Sequence, residues 1–72
     1  MTRYDVSNRL RELRKLAGYS RPQLAKLADV SVGTIQRNEE GLNYPTFIIF
    51  FRLLKALGVT SKEFFDFPES KK

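Results

Sequence analysis

The chain has 72 residues, room for one small domain and not for a multidomain enzyme. It contains neither Cys nor His, which excludes disulfide staples, zinc clusters, thiol nucleophiles and imidazole chemistry, so stability rests on packing alone. Thirteen Lys and Arg stand against eight Asp and Glu, a net charge of +5, and the whole excess falls in residues 1–37, where eight basic groups meet three acidic ones. Such an asymmetry suggests a basic face suited to a polyanion such as nucleic acid or to an acidic protein surface, the plainer alternative being a solvated helix side.

Met1-Thr2-Arg3-Tyr4-Asp5 carries charge and leads into no apolar run, unlike a signal peptide. The longest apolar run, Phe47 to Phe51, falls far short of the roughly 20 residues that a membrane span needs. A cytoplasmic protein without membrane contact is expected.

Val6, Leu10, Leu13, Leu16 and Ala17 repeat at three- and four-residue spacing and predict a first helix over 6–17, with Arg9, Arg11, Glu12 and Lys15 on its solvent side. Asp5 or Ser7 is placed to cap its start and Gly18 to end it. Ser20-Arg21-Pro22-Gln23 has the form of a capping box and opens a helix over 21–28 with Leu24, Ala25 and Ala28 inward. Asp29-Val30-Ser31 reads as a tight turn: Asp29 tolerates the left-handed conformation, Val30 plugs the core and Ser31 caps a third helix over 32–39. Gly41, Asn43 and Pro45 punctuate a loop, and Thr46 caps a fourth helix over 47–57 that stops at Gly58. Thr60-x-x-Glu63 is a second capping box, opening a short fifth helix with Phe64 and Phe65 that Pro68 ends. The domain is thus 1–68, followed by a flexible polar tail over 69–72.

A short helix, a three-residue turn and a second short helix form the helix-turn-helix arrangement, here with one helix before and two after. The wording agrees: Arg11-Glu12-Leu13-Arg14, Ser20, Leu24-Ala25, Ala28, Val30-Ser31, Thr34-Ile35, Arg37, Glu39, Gly41, Pro45 and Lys55-Ala56-Leu57-Gly58-Val59 stand at the spacing of one family. From Leu10 to Phe65 the chain resembles the lambda-repressor-like family, also called Cro/repressor or XRE-type. The resemblance implies an all-α, five-helix DNA-binding domain with its helix-turn-helix at helices 2 and 3. It places helix 3 in the DNA major groove and nominates Val32, Gly33, Gln36 and Arg37 for base contact. Arg21, Gln23, Ser31, Thr34, Asn43 and Tyr44 would meet phosphates.

Arg37 and Gln36 suit guanine and adenine edges, their alternative being a solvated helix surface. Gly33 has no side chain, Val32 offers only apolar contact, and Arg21 stands where the family usually has Gln. Asn38 occupies a usually apolar position and either finds hydrogen-bond partners or lies at the core's edge. Glu39, the family's structural acid, is expected to pair with Arg14 and to carry no chemistry.

In the fourth helix Phe47, Phe50, Leu54 and Leu57 define an expected inward arc, bordered by Phe51 and Leu53. Ile48 and Ile49 then point elsewhere, beside Arg52. Either Ile48, Ile49, Phe51 and Arg52 form a protein interface, or the Phe64-Phe65-Asp66-Phe67 segment folds over the two isoleucines and completes the core. A symmetric dimer would set a half-site spacing of about 34 Å on palindromic DNA.

Two functions compete. One is a Cro-like transcriptional regulator, suited to a phage genetic switch, that binds double-stranded operator DNA as a homodimer. The other is an anti-repressor that uses the same fold in a heterocomplex with another phage repressor, masking its DNA-reading surface. A toxin–antitoxin antidote shares the fold but lacks here the expected toxin-binding extension. No catalytic residue, metal, cofactor or small-molecule ligand is expected, because a catalyst would need a Lys–Ser or carboxylate pair in a pocket that so small a domain has little volume to enclose.

Overall fold

The computed structural model describes residues 2–67. Five helices follow in order: α1 (Arg3–Leu16), α2 (Arg21–Ala28), α3 (Val32–Glu39), α4 (Phe47–Leu57) and α5 (Ser61–Phe64), with no strand among the described residues. Cap chemistry fixes most of their ends. The Ser20 hydroxyl accepts from the Gln23 amide while the Gln23 side chain accepts from the Ser20 amide, and Thr60 and Glu63 repeat the exchange at α5. Ser31 and Thr46 accept from Thr34 and Ile49 at the starts of α3 and α4. Asp29 is left-handed at φ 58°, which turns the chain from α2 to α3 over three residues.

α1 begins three residues earlier than its apolar stripe suggests. Thr2 is the N-cap, and Asp5 closes its capping box from the third helical position rather than capping the helix itself. Leu16, counted in the stripe, is 75% exposed, because α1 outruns the partners it packs on. α5 ends at Phe64, ahead of the Pro68 expected to stop it; Pro68 and the tail over 69–72 lie outside the described residues.

The core gathers Val6, Leu10 and Leu13 of α1, Leu24, Ala25 and Ala28 of α2, Ile35 of α3, Leu53 and Leu54 of α4, and Phe64 of α5. α2 packs against α4 and α3, while α1 packs against α3 and α5. The phase of α4 differs from the expected arc. Phe47 is 72% exposed and Phe51 lies outside, whereas Leu53 is buried and Ile49 packs on the core beside Phe50 and Leu57. Phe64 is the far wall, its ring edge-on to Phe50 at 5.0 Å between centroids.

Arg9 and Arg11 are not the free surface charges that helical phase suggested. Arg9 donates from Nε to the Phe64 carbonyl at 2.8 Å and from Nη2 to the Glu63 carbonyl at 2.7 Å, so α1 secures the carbonyl end of a helix too short to stand alone. Arg11 donates to the Glu39 carbonyl at the end of α3.

Gly41 turns the chain out of α3 with φ 76°, and a Cβ there would lie 2.8 Å from the Tyr4 ring. Gly41→Ala is expected to destabilise by about 1–2 kcal/mol through the left-handed backbone, with the exposed Tyr4 ring swinging aside. Urea unfolding monitored by circular dichroism measures it.

Candidate nucleic-acid interface

The α2–turn–α3 unit presents one side of α3 to solvent. Ile35 of that helix is fully buried, and Asn38 and Glu39 are buried behind it, so Val32, Gln36 and Arg37 face outward. Gln36 donates to the Glu40 carboxylate at 3.2 Å. Arg37 bends back toward the start of α3: its Nη2 lies 3.5 Å from Thr34 Oγ1, and a Cβ on Gly33 would meet its Nη1 at 3.3 Å. Gly33 thus leaves room for a guanidinium over the first turn of the helix, a purpose that its missing side chain does not reveal in the sequence.

Thr34, Arg37, Asn43 and Tyr44 line a single cleft of about 200 Å³ between α3 and the start of α4. Tyr44 is exposed at its rim. Asn38 forms the floor: its Nδ2 donates to the Asn43 carbonyl at 3.3 Å, which ties the loop to α3, while its Oδ1 is buried without a partner among the described residues. Asn38 therefore joins both alternatives read from the sequence, half satisfied and inside the core's edge. Ser31 and Thr34 hydroxyls lie 2.8 Å apart, and Gln23 is committed through Oε1 to its capping box.

Beneath this face lies the principal electrostatic feature of the molecule. Glu39 has a fully buried side chain; Arg14 grips it with two bonds, Nε to Oε2 at 2.6 Å and Nη2 to Oε1 at 2.9 Å. Arg14 Nη1 also donates to the Tyr19 carbonyl at 2.9 Å. Arg21, nominated for phosphate contact, directs Nε at the same carboxylate, 3.1 Å from Oε1. Burial pushes the Glu39 carboxyl up, but the hydrogen bonds from Arg14 and Arg21 outweigh it and hold the group below the usual carboxylate range. The Arg14 guanidinium is raised chiefly by its bond to Glu39, against the opposing effect of burial.

Of the eight basic residues in the first half, Arg9, Arg11, Arg14 and Arg21 are thus engaged within the molecule. The charge asymmetry serves helix packing as much as any outer face. Arg14 meets the partner expected of it, Glu39, whereas the partners of Arg9, Arg11 and Arg21 were invisible in the sequence because helical phase places a side chain without naming what lies opposite it.

A second surface lies on α4. Ile48 is 63% exposed, and Phe47 and Phe51 stack edge-on with centroids 4.6 Å apart. Arg52 donates to the Asp29 carbonyl at 3.2 Å, across to the turn before α3. Ile49 is turned inward, so the patch is centred nearer Phe47 than the sequence suggested. It continues into an apolar groove of about 380 Å³ lined by Val6, Tyr44, Pro45, Phe47, Phe50 and Phe65. Among the described residues, no helix is long and apolar enough to cross a membrane, and no cluster of acidic side chains could hold a metal ion.

This fold and face define a class. The helix-turn-helix family matches residues 10–64, and the chain belongs to that family. Its structure is similar to the crystal structure of C.AhdI, a restriction-modification controller protein from Aeromonas hydrophila, with 28% sequence identity and a TM-score of 0.83. The likeness covers 88% of this chain and 96% of C.AhdI. None of the curated proteins matches the chain.

Proposed function

We propose that the protein is a DNA-binding transcriptional regulator that reads duplex DNA with the outer side of α3. The observation that carries this reading is the convergence of Arg37, Thr34, Asn43 and Tyr44 on one cleft beside that helix. An Arg at this edge suits a guanine O6/N7 pair, and the hydroxyls and amide around it suit phosphate oxygens. Membership of the helix-turn-helix family and the likeness to a controller protein support the same reading. The protein acts by binding and not by catalysis. A Cro-like phage switch is one setting for such a regulator, and control of a restriction-modification system, as by the controller protein C.AhdI, is another.

Arg37→Ala is expected to weaken binding to a duplex selected from a random pool by about 1–3 kcal/mol, some 5- to 150-fold. Fluorescence anisotropy reads this directly. Unchanged affinity would take α3 out of the interface.

The exposed apolar side of α4 favours a homodimer as the DNA-binding unit, with Phe47, Ile48 and Phe51 meeting their copies. Phe47→Glu is expected to shift the protein from dimer to monomer in sedimentation with its helical circular dichroism intact. A wild-type monomer that associates instead with another repressor through this face would support the second reading, the anti-repressor.

A further inference from the structure

Glu39 binds two guanidinium groups, and the two are not equivalent. Arg14 spends Nε, Nη1 and Nη2 on Glu39 and the Tyr19 carbonyl, and its side chain is 10% exposed. Arg21 spends only Nε on Glu39, and its side chain is 30% exposed. One carboxylate, already matched by the bidentate Arg14, therefore holds a second cation by one nitrogen and leaves the far edge of its fork at the surface. That cation sits at the first position of α2, next to Ser20 and two residues before Gln23.

Building on the DNA-binding reading above, we infer that Glu39 is a positioning residue for DNA contact: it orients Arg21 so that the two terminal amino groups form a forked clamp on a backbone phosphate. Arginine is required for this. A guanidinium is planar, so fixing Nε on one side fixes the direction of both Nη groups on the other, and they match two phosphate oxygens. Lysine carries the same charge on a single nitrogen and cannot present a planar two-nitrogen fork to a phosphate while it holds Glu39. The arrangement also limits the ordering cost of binding, because the side chain is already oriented before DNA arrives. Arg21 thereby links the buried pair to the outer face of the helix-turn-helix.

The test is anisotropy of a labelled duplex between 50 and 200 mM salt, where phosphate contacts dominate the dependence, with wild type, Arg21→Lys, Arg21→Ala, Glu39→Gln and the double variant Arg21→Ala/Glu39→Gln. Arg21→Ala is expected to lose about tenfold in affinity and to lower the salt slope by about one. Arg21→Lys is expected to lose affinity nearly as far. Glu39→Gln separates positioning from simple charge: removing a negative group near DNA tightens binding by Coulomb's law, whereas loss of orientation weakens it. Weaker binding in the wild-type background, with no further loss in the Arg21→Ala background, is expected. Arg21→Lys binding as well as wild type, or Glu39→Gln binding more tightly, would overturn the inference. If Glu39→Gln does not fold, Arg21→Lys, which leaves the Arg14 pair in place, decides alone. Wild type without salt-dependent binding would instead defeat the DNA-binding reading itself.

Discussion

Glu39→Ala is expected to destabilise the domain by about 3–5 kcal/mol, a large part of the roughly 4–11 kcal/mol that a chain of this length holds. The carboxylate is inaccessible, and its removal leaves Arg14 buried with two unpaired nitrogens and Arg21 without its anchor. The pair contributes by having no cheap alternative more than by its attraction, since a well-packed apolar substitute for both partners is often neutral. Its stabilisation also has a pH window. Glu39 is held below the ordinary glutamate value near 4.5, so the contribution is complete above that value and is lost as pH falls through the lower folded-state value. Urea unfolding of wild type and Glu39→Ala from neutral pH downward is expected to show two curves that are well separated above pH 4.5 and converge on acidification. A constant gap would mean that the carboxylate's charge contributes nothing.

Phe64→Ala is the second large effect, about 3–5 kcal/mol. Phe64 is 1% exposed and is the sole buried residue of α5. Its ring meets Phe50 edge-on at 5.0 Å and Phe65 at 5.1 Å. A four-residue helix has no stability of its own, so deletion of the ring releases the segment and with it the carbonyls that Arg9 holds. Hydrogen exchange is expected to show protection lost first at Phe64 and Phe65, with the amides of α2 and α3 protected longer. Simultaneous loss throughout would show that α5 is part of the central cooperative unit rather than a strap across its end.

The elements whose ends depend on caps were legible in the sequence. α2, α3 and α4 span the residues expected of them, because Ser20, Ser31, Thr46, the left-handed Asp29 and Gly58 act over one turn and need no distant partner. The start of α1 was missed for a related reason: Asp5 is a cap residue by type, yet it closes a box opened by Thr2. The face of α4 was misjudged because Phe47-Ile48-Ile49-Phe50-Phe51 presents apolar groups on every side of its first turn, and the polar residues that could mark the solvent face, Arg52 and Lys55, come only after it.

At the candidate interface the outward side of α3 was legible from the resemblance, since Ile35 fixes the helix in the core and Gln36 and Arg37 follow on the opposite side. Two features were not. The bond from Arg21 to Glu39 joins residues 18 apart, and nothing local to either predicts it. The fit of Arg37 over Gly33 depends on a side chain bending toward the helix start, where Gly33 alone reads as a weakness in the helix.

The most direct test of the central claim is amide chemical-shift mapping of the nitrogen-labelled protein during titration with its selected duplex. Changes concentrated at Ser20–Gln23, Ser31–Arg37 and Asn43–Tyr44 are expected. Changes confined to Phe47, Ile48 and Phe51 of α4, or none at low salt, would contradict it.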